Sequence, residues 1–388
     1  MSHVTRRSAV LLALATALWA IPATAQETKT AAWEFGIHGI LLMNGFYNDA
    51  EVNNSDVPSQ AIPPNGTVPQ SSMGAAVRQT RVTGSADLAG FAGGDLHGEL
   101  DVDFFGGQLG NGRTSPLLRI RRVIGELRWD RVSILVGQEG PLVADVNPFS
   151  LATLGVPGFA AAGNLWLWLP QIRAGFDFNG GDGVRVGIDA AALAPNSEGG
   201  AGTFSTTPNN AERSGRPMVE SRLRIRWGGG GEIGGGGHLA WIVTPANELV
   251  ESNAIVVTGI IPLGHALDLR GEWFTGQALG TLGGGGIGQN LDASGQPLKT
   301  TGGWGAITLR PSAHWEIGGG YGYDNPEETA ADTATTFKQM NSQYNARLQW
   351  RAMPVVVAFE YRHFSTFWAG GIGEKTATHL NLAMGLEF

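Results

Sequence analysis

The chain has 388 residues, no cysteine, 15% charged residues and a formal net charge of -8. Without cysteine it has no disulfide framework, thiolate zinc site, iron–sulfur cluster or cysteine nucleophile, and the acidic balance argues against a nucleic-acid binder, which needs a basic surface. Glycine supplies 59 residues without the period of collagen, and hydrophobic residues make up 42% of the chain, which argues against disorder.

The N-terminal segment has the parts of a secretory signal peptide. Arg6 and Arg7 give a positive start, residues 9–20 are apolar, and Ala23-Thr24-Ala25 supplies small residues for cleavage. We expect cleavage near Ala25 and an exported domain over residues 26–388. The alternative is an N-terminal transmembrane anchor, which needs a longer apolar run of about 18–20 residues.

The exported part alternates with a period of two. At the C-terminus, Leu380, Leu382, Met384, Leu386 and Phe388 share one face, and polar or small residues occupy the other. Residues 95–105, 218–227 and 338–351 alternate in the same way. A helix would mix these two sets, because its period is 3.6 residues. The pattern predicts strands with one apolar and one polar face.

We count sixteen such segments along the chain. They begin near Trp33, Ala75, Asp95, Leu117, Val132, Leu165, Gly183, Pro217, Ile233, Ser252, His265, Thr300, Ser312, Lys338, Pro354 and Lys375. Seven connections are short, and most of the others are long and rich in Gly, Pro, Asn, Ser and Thr. The long ones are residues 48–74, 106–116, 139–164, 194–216, 277–299 and 324–337.

Short turns alternating with long loops are typical of an outer-membrane barrel. The sequence therefore predicts an all-β fold: a transmembrane antiparallel β-barrel of about 16 strands, within a range of 14 to 18, with both termini on the periplasmic side. Aromatic residues near predicted strand ends suit the interface with outer-membrane lipid. These are Trp33, Trp129, Trp166, Trp227, Trp273, Trp304, Trp350 and Phe388. A soluble β-sandwich is the alternative fold.

Several short stretches resemble a known family. They are Val77-Arg78-Gln79-Thr80-Arg81, residues 98–105, Leu117-Leu118-Arg119-Ile120-Arg121-Arg122 and Val136-Gly137-Gln138. Their order is similar to that in the trimeric porins of the phosphate-selective and dicarboxylate-selective (DcaP-like) group, over residues 75–178. The resemblance implies a homotrimer in the outer membrane of a diderm bacterium. The final strand, ending in Phe388, resembles the signal read by the barrel assembly machinery. Some members carry an N-terminal coiled coil, for which only residues 26–32 precede the first predicted strand here.

The third long loop, residues 139–164, is the expected constriction. In general porins this loop folds into the barrel, and the resemblance implies the same here. Its apolar residues, Phe149 among them, are too numerous for a free surface loop, and Glu139, Asp145 and Asn147 are candidates to face the pore. The alternative is a loop that caps the barrel rim.

Arginines recur at positions that face the lumen. They are Arg81, Arg119, Arg121, Arg173, Arg222, Arg224, Arg226, Arg270, Arg347 and Arg362. Arginine stays charged and offers a planar fork to carboxylate or phosphate. We predict an anion-preferring diffusion channel for small hydrophilic solutes, in which the row Arg222, Arg224 and Arg226 is the most specific feature. The alternative is that arginines brace the wall by pairing with inward acids such as Asp101 and Asp103. Arg122 interrupts the alternation and indicates a bulge or the rim.

Functions other than a channel have weaker support in the sequence. A barrel lipase or protease would need a catalytic motif, and neither G-x-S-x-G nor H-E-x-x-H occurs. An adhesin barrel and a fatty-acid transporter are further alternatives. His97, between Asp95 and Glu99, is a candidate metal ligand or base, although the favoured interpretation is a hydrogen-bonded lumen histidine. The glycine patterns at residues 229–234 and 283–288 lack the strand-to-helix context of a dinucleotide site. We predict no enzyme activity, cofactor, metal or nucleic-acid partner.

Overall fold

The computed structural model describes residues 32–66, 70–106, 115–181, 183–197, 207–328 and 333–388. The signal peptide predicted over residues 1–25 lies outside these ranges. Within them, no helix has the length and apolarity needed to cross a membrane.

The 3-10 turns of the described chain are Glu212–Ser214, Gly228–Gly230, Leu279–Leu282 and Gly285–Gly288. The strands are β1 (Glu34–Asn48), β2 (Ser72–Ala76), β3 (Arg81–Phe91), β4 (Gly94–Asp103), β5 (Arg119–Arg128), β6 (Val132–Glu139), β7 (Leu169–Gly181), β8 (Val184–Leu193), β9 (Met218–Trp227), β10 (Gly231–Val243), β11 (Leu249–Leu263), β12 (Leu267–Gln277), β13 (Lys299–Leu309), β14 (Trp315–Pro326), β15 (Lys338–Ala352), β16 (Val355–Trp368) and β17 (Gly373–Glu387).

These strands form one antiparallel sheet that closes on itself. Successive strands pair in chain order, and β1 closes the barrel against β17, with Ile40 opposite Glu387 and Asn48 opposite His379. β2 and β3 pair with different halves of β1, so they are two parts of one barrel strand. The barrel therefore has sixteen strands, and the predicted fold is confirmed.

The second barrel strand is interrupted at residues 77–80. Thr80 Oγ1 accepts the N–H of Leu42 at 3.0 Å, so a side chain replaces the missing ladder bond there. Arg78 and Gln79 are buried. The guanidinium of Arg78 pairs with Asp56 in the first long loop. This break therefore turns two long polar side chains inward and fixes the loop above them.

The two ends of the barrel differ in the length of their connections. At the end that carries both termini, the turns between strands have at most five residues. At the other end, six of the eight connections are long, and residues 140–168 form the longest of them. The predicted alternation of short turns and long loops is confirmed, and the long-loop end corresponds to the extracellular side of such barrels.

The faces of the wall follow from the two-residue period. In β9, Val219, Leu223 and Ile225 are exposed on the outside, whereas Glu220 and Arg222 are buried inside. An outer apolar band with a polar interior is the arrangement that a bilayer requires of a barrel. Aromatic residues do not all lie on the outer band. Trp166 and Trp304 are buried in the interior, so their predicted place at the lipid interface was wrong.

A bulge in β5 concentrates arginine on the inner face. Asp101 is opposite Arg122 and Val102 is opposite Ile120, so Arg121 is an extra residue in β5. The extra residue lets both Arg121 and Arg122 point inward although they are adjacent in sequence. From the sequence, Arg122 indicated either a bulge or the barrel rim, and the structure shows a bulge.

Candidate functional site: the constricted lumen

Buried carboxylates of the wall anchor both ends of the third loop. Near its start, the N–H groups of Leu142 and Val143 donate to Glu220 Oε2 at 2.6 and 3.3 Å. Directly after its end, the N–H of Leu165 donates to Glu272 Oε1 at 2.9 Å. Buried backbone N–H groups need an acceptor, and the carboxyl oxygens of these two residues supply one at each end of the loop. The loop is thereby tied to β9 and β12.

The middle of the third loop reaches the far side of the barrel. Ser150 Oγ donates to Glu360 Oε2 on β16 at 2.5 Å. Asn341 Nδ2 on β15 donates to the carbonyl of Ala161 at 2.7 Å. Because β15 and β16 lie roughly opposite β9 in the closed sheet, these contacts place the loop across the barrel interior.

The two acidic residues predicted for the constriction are held by arginines. Glu139 Oε2 lies 2.5 Å from the Arg122 guanidinium, which also contacts a second carboxylate on β4. Asp145 pairs with Arg222. Both carboxylates line the lumen cavity, but each presents a charge that a neighbouring arginine largely compensates.

The other two predicted constriction residues have different roles in the loop. Asn147 Oδ1 accepts a hydrogen bond from Asn164 Nδ2 at 3.2 Å, which joins two parts of the loop. The ring of Phe149 lies 5.2 Å from the Arg347 guanidinium carbon, and its carbonyl accepts a hydrogen bond from the same arginine. Arg347 also contacts Glu316 at 2.6 Å and is buried, so it braces the loop against the wall.

The third loop leaves a cavity of about 530 Å³ inside the barrel. Its charged lining among the described residues is five arginines and two carboxylates. They are Arg81, Arg121, Arg122, Arg173 and Arg270, with Glu139 and Asp145. Pro148, Phe149, Leu154, Trp166 and Trp168 add apolar surface. The sequence therefore identified four of the five cavity arginines as lumen-facing candidates and missed Arg122, whose position depends on the bulge.

Two aspartates of β4 stand behind part of the arginine lining. Arg81 contacts Asp101 at 2.5 Å, while Arg119 and Arg121 contact Asp103 at 2.5 and 3.0 Å. Both aspartates are buried. The guanidinium groups thus separate these carboxylates from the lumen, so a solute meets arginine first. The predicted bracing of Arg119 and Arg121 by β4 is what the structure shows.

Arg173 differs from the other arginines of the cavity. Its guanidinium donates to the amide oxygen of Gln171 at 3.0 Å and to the carbonyl of Gly140 at 3.1 Å, and both acceptors are neutral. Among the described residues no carboxylate lies within ion-pair distance of it. Arg270 has a single weak contact, 3.3 Å to Asp268. These two groups keep most of their positive charge available to the cavity.

The row Arg222, Arg224 and Arg226 is engaged by carboxylates. Arg222 pairs with Asp145 and with Glu232, the latter at 2.7 Å. Its side chain is 1% exposed. Arg224 lies 2.6 Å from a carboxylate of β8, and Arg226 pairs with one of β7. Arg222 is therefore a brace of the third loop and not a pore-lining residue, because its partners enclose it completely.

Two tryptophans of the lumen were not predicted as part of the site. Trp166 and Trp168 pack edge to face, with ring centroids 5.3 Å apart. The guanidinium carbon of Arg121 lies 4.4 Å from the Trp168 ring centre, and that of Arg119 lies 5.2 Å away. Such contacts hold a guanidinium while leaving its edge free for hydrogen bonds. The run of alternating Leu and Trp at residues 165–169 suggested a strand, but β7 begins only at Leu169.

A second loop, residues 278–298, also turns inward. Leu279 and Leu282 are completely buried, and the carbonyl of Leu282 accepts the N–H of Trp166 at 3.1 Å. Ile287 N–H donates to Asp324 on β14 at 2.9 Å. Sequence analysis identified residues 277–299 only as a long loop rich in glycine. Its packing behind Trp166 makes it a support for the end of the third loop.

His97 lies toward the short-turn end of the barrel wall. Its Nδ1 is 2.7 Å from Asp87 Oδ1 on β3, and its Nε2 is 3.8 Å from Glu99. It does not line the constricted cavity.

Comparisons with known proteins agree on the fold. Neither a scan of protein-family models nor a search of curated proteins finds a match. Among solved structures, the outer membrane channel DcaP of Acinetobacter baumannii matches with a TM-score of 0.71 and 14% identity, over 94% of this chain and 99% of that one. The anion-selective porin from Comamonas acidovorans matches with a TM-score of 0.60 and 12% identity, over 92% and 100%. OmpT of Vibrio cholerae, an outer membrane protein described in a trimer form, matches with a TM-score of 0.54 and 11% identity, over 92% and 100%. The chain therefore has the sixteen-stranded fold of outer-membrane channels, and its resemblance to the DcaP-like porins is confirmed at the level of that fold.

Proposed function

We propose that this chain is an outer-membrane porin that lets small hydrophilic solutes diffuse passively, with a preference for anions such as phosphate or carboxylates. The observation that carries the proposal is the cavity beside the third loop, which the described part of the chain lines with five guanidinium groups and two carboxylates. A constriction with an excess of one charge selects by lowering the electrostatic cost of entry for the opposite charge.

Within this cavity, Arg173 is the group on which the preference depends most. Its neutral partners, Gln171 and Gly140, orient the guanidinium without cancelling its charge. Arg81, Arg121 and Arg122 are each paired with carboxylates and add less field at the lumen. A guanidinium can bind a carboxylate or phosphate through two parallel hydrogen bonds and release it again in water.

The similar solved proteins support transport and not catalysis. One is named an outer membrane channel and another an anion-selective porin. We extend the proposal to a homotrimer, because one similar structure is a trimer form. Export through a signal peptide cleaved near Ala25 would deliver the chain to the outer membrane. The terminal residue Phe388 exchanges backbone hydrogen bonds with Gly39 at 2.9 and 3.1 Å, and we propose this closing strand as the contact for the assembly machinery.

The test compares Arg173→Gln with Arg131→Gln in planar bilayers under a salt gradient. Arg131 lies in a short turn, is 56% exposed and is far from the cavity, so it is a matched control. Two charges about 4 Å apart in water interact by about 1 kcal/mol, which corresponds to about a fivefold change in permeability ratio. We expect the anion-to-cation ratio to fall by that factor in Arg173→Gln only. Equal ratios in the two variants, both with wild-type conductance, would refute the assignment of Arg173.

A further inference from the structure

A recess of about 600 Å³ opens on the outer surface of the barrel, at the long-loop end of β6 to β9. Its walls include Val136 and Ile172, which are 52% and 60% exposed and point away from the lumen. The recess thus belongs to the surface that faces the bilayer. It is separate from the lumen cavity and shares no lining residue with it.

A small residue and prolines create the recess. On the outer face, Ala192 leaves space where its neighbours on the adjacent strands, Ile172 and Val219, carry larger side chains. Pro195 and Pro217 stand just beyond the ends of β8 and β9. Proline has no N–H for a ladder bond, so the sheet stops there and the wall steps back. The shape is therefore set by backbone chemistry and is present without a ligand.

A single arginine stands at the mouth of the recess. The guanidinium carbon of Arg216 lies 5.0 Å from the ring centre of Trp241, an outward residue of β10. Arg216 makes no ion pair among the described residues, and its backbone N–H is held by Ser214 Oγ at 3.2 Å. Tryptophan favours the layer of lipid headgroups. Arg216 is thus placed to contact the headgroup of a lipid, and the apolar recess below it is placed to hold an acyl chain.

We propose that this recess is a specific lipid site: one acyl chain fills it, and Arg216 holds the anionic phosphate of the same lipid. An acyl chain that fills the recess gains van der Waals contacts with its walls, and the guanidinium gains a charge-assisted hydrogen bond to phosphate. A second copy of the chain packed here would have to take the Arg216 charge out of water, which is costly unless that copy supplies a carboxylate. The inference requires only that the barrel spans a bilayer and is independent of the selectivity of its lumen.

Native mass spectrometry of the detergent-solubilised protein, titrated with phosphatidylglycerol, tests the proposal. The variants are Arg216→Ala, which removes the phosphate contact, and Ala192→Phe, which fills the recess. Arg213→Ala and Ala190→Phe are their controls, because Arg213 is bound to Asn247 and Ala190 faces outward beyond the recess. A basic residue near an anionic headgroup is worth about 1 kcal/mol, so we expect about fivefold weaker retention of one lipid in Arg216→Ala.

Ala192→Phe should abolish retention of that lipid, whereas both controls should retain it as the wild type does. Heat-dependent migration in gels shows that each variant is folded, so a folding defect is not mistaken for lost binding. Equal lipid retention in folded Arg216→Ala, Ala192→Phe and wild-type protein would overturn the proposal. Loss of the oligomer in the same spectra for Ala192→Phe, with lipid retention unchanged, would also overturn it and make this face a subunit interface.

Discussion

The anchoring of the third loop by Glu220 leads to a quantitative prediction. Its carboxylate accepts the N–H groups of Leu142 and Val143 and lies 2.9 Å from His238 Nδ1, with both side chains of that pair fully buried. Glu220→Ala leaves two buried N–H groups without acceptors, at about 1–3 kcal/mol each. The free energy that docks the start of the loop should therefore fall by at least about 2 kcal/mol, or about 30-fold in the docked population.

Single-channel recording is the assay. We expect Glu220→Ala to show higher conductance and more frequent current fluctuations, with a permeability ratio closer to unity, because release of the loop that narrows the lumen widens the pore. Glu251→Ala is the matched control, since Glu251 lies on β11 with its side chain exposed. Wild-type conductance and steady current in folded Glu220→Ala would show that the loop does not depend on this anchor, and the reasoning would fail.

Three further predictions follow from the same contacts. The double variant Arg224→Gln with Asp189→Asn removes one charge of each sign outside the cavity, so the reversal potential should equal that of the wild type. Gly322→Val should displace the third loop and raise conductance, because a Cβ there would lie 2.3 Å from the carbonyl of Ala162. Gly84→Val should leave the conductance unchanged, because the space around its Cβ is open. Raising the salt from 0.1 to 1 M shortens the Debye length from about 10 to about 3 Å, so the permeability ratio should move toward unity, and a ratio independent of salt would point to steric selection.

The fold could be predicted from the sequence because every barrel strand alternates apolar and polar residues in the same way. Every second residue of a strand faces lipid, so the period of two in segments such as residues 218–227 does not depend on which strands lie beside them. The lengths of the connections also predicted which end of the barrel carries the two termini. The break at residues 77–80 was not readable in this way, because the alternation resumes after it and only the pairing of both halves with β1 reveals it.

The site was harder to predict, because alternation gives the face of a side chain and not its neighbours. Arg222 and Arg173 both have inward parity, yet Arg222 is enclosed by Asp145 and Glu232, whereas Arg173 meets only neutral acceptors. That difference depends on strand register and on the path of the third loop. The inward turn of residues 278–298 was missed for a similar reason, since its anchor is Asp324, which is distant in sequence.

The reversal potential of the purified wild-type protein in a planar bilayer, under a gradient of potassium chloride, tests the central claim most directly. Across the described ranges, five arginines and two carboxylates line the cavity, which predicts an anion-selective sign. A homotrimer predicts conductance that appears in three equal steps. A cation-selective sign would contradict the account, because Glu139 and Asp145 would then set the field of the lumen despite their arginine partners.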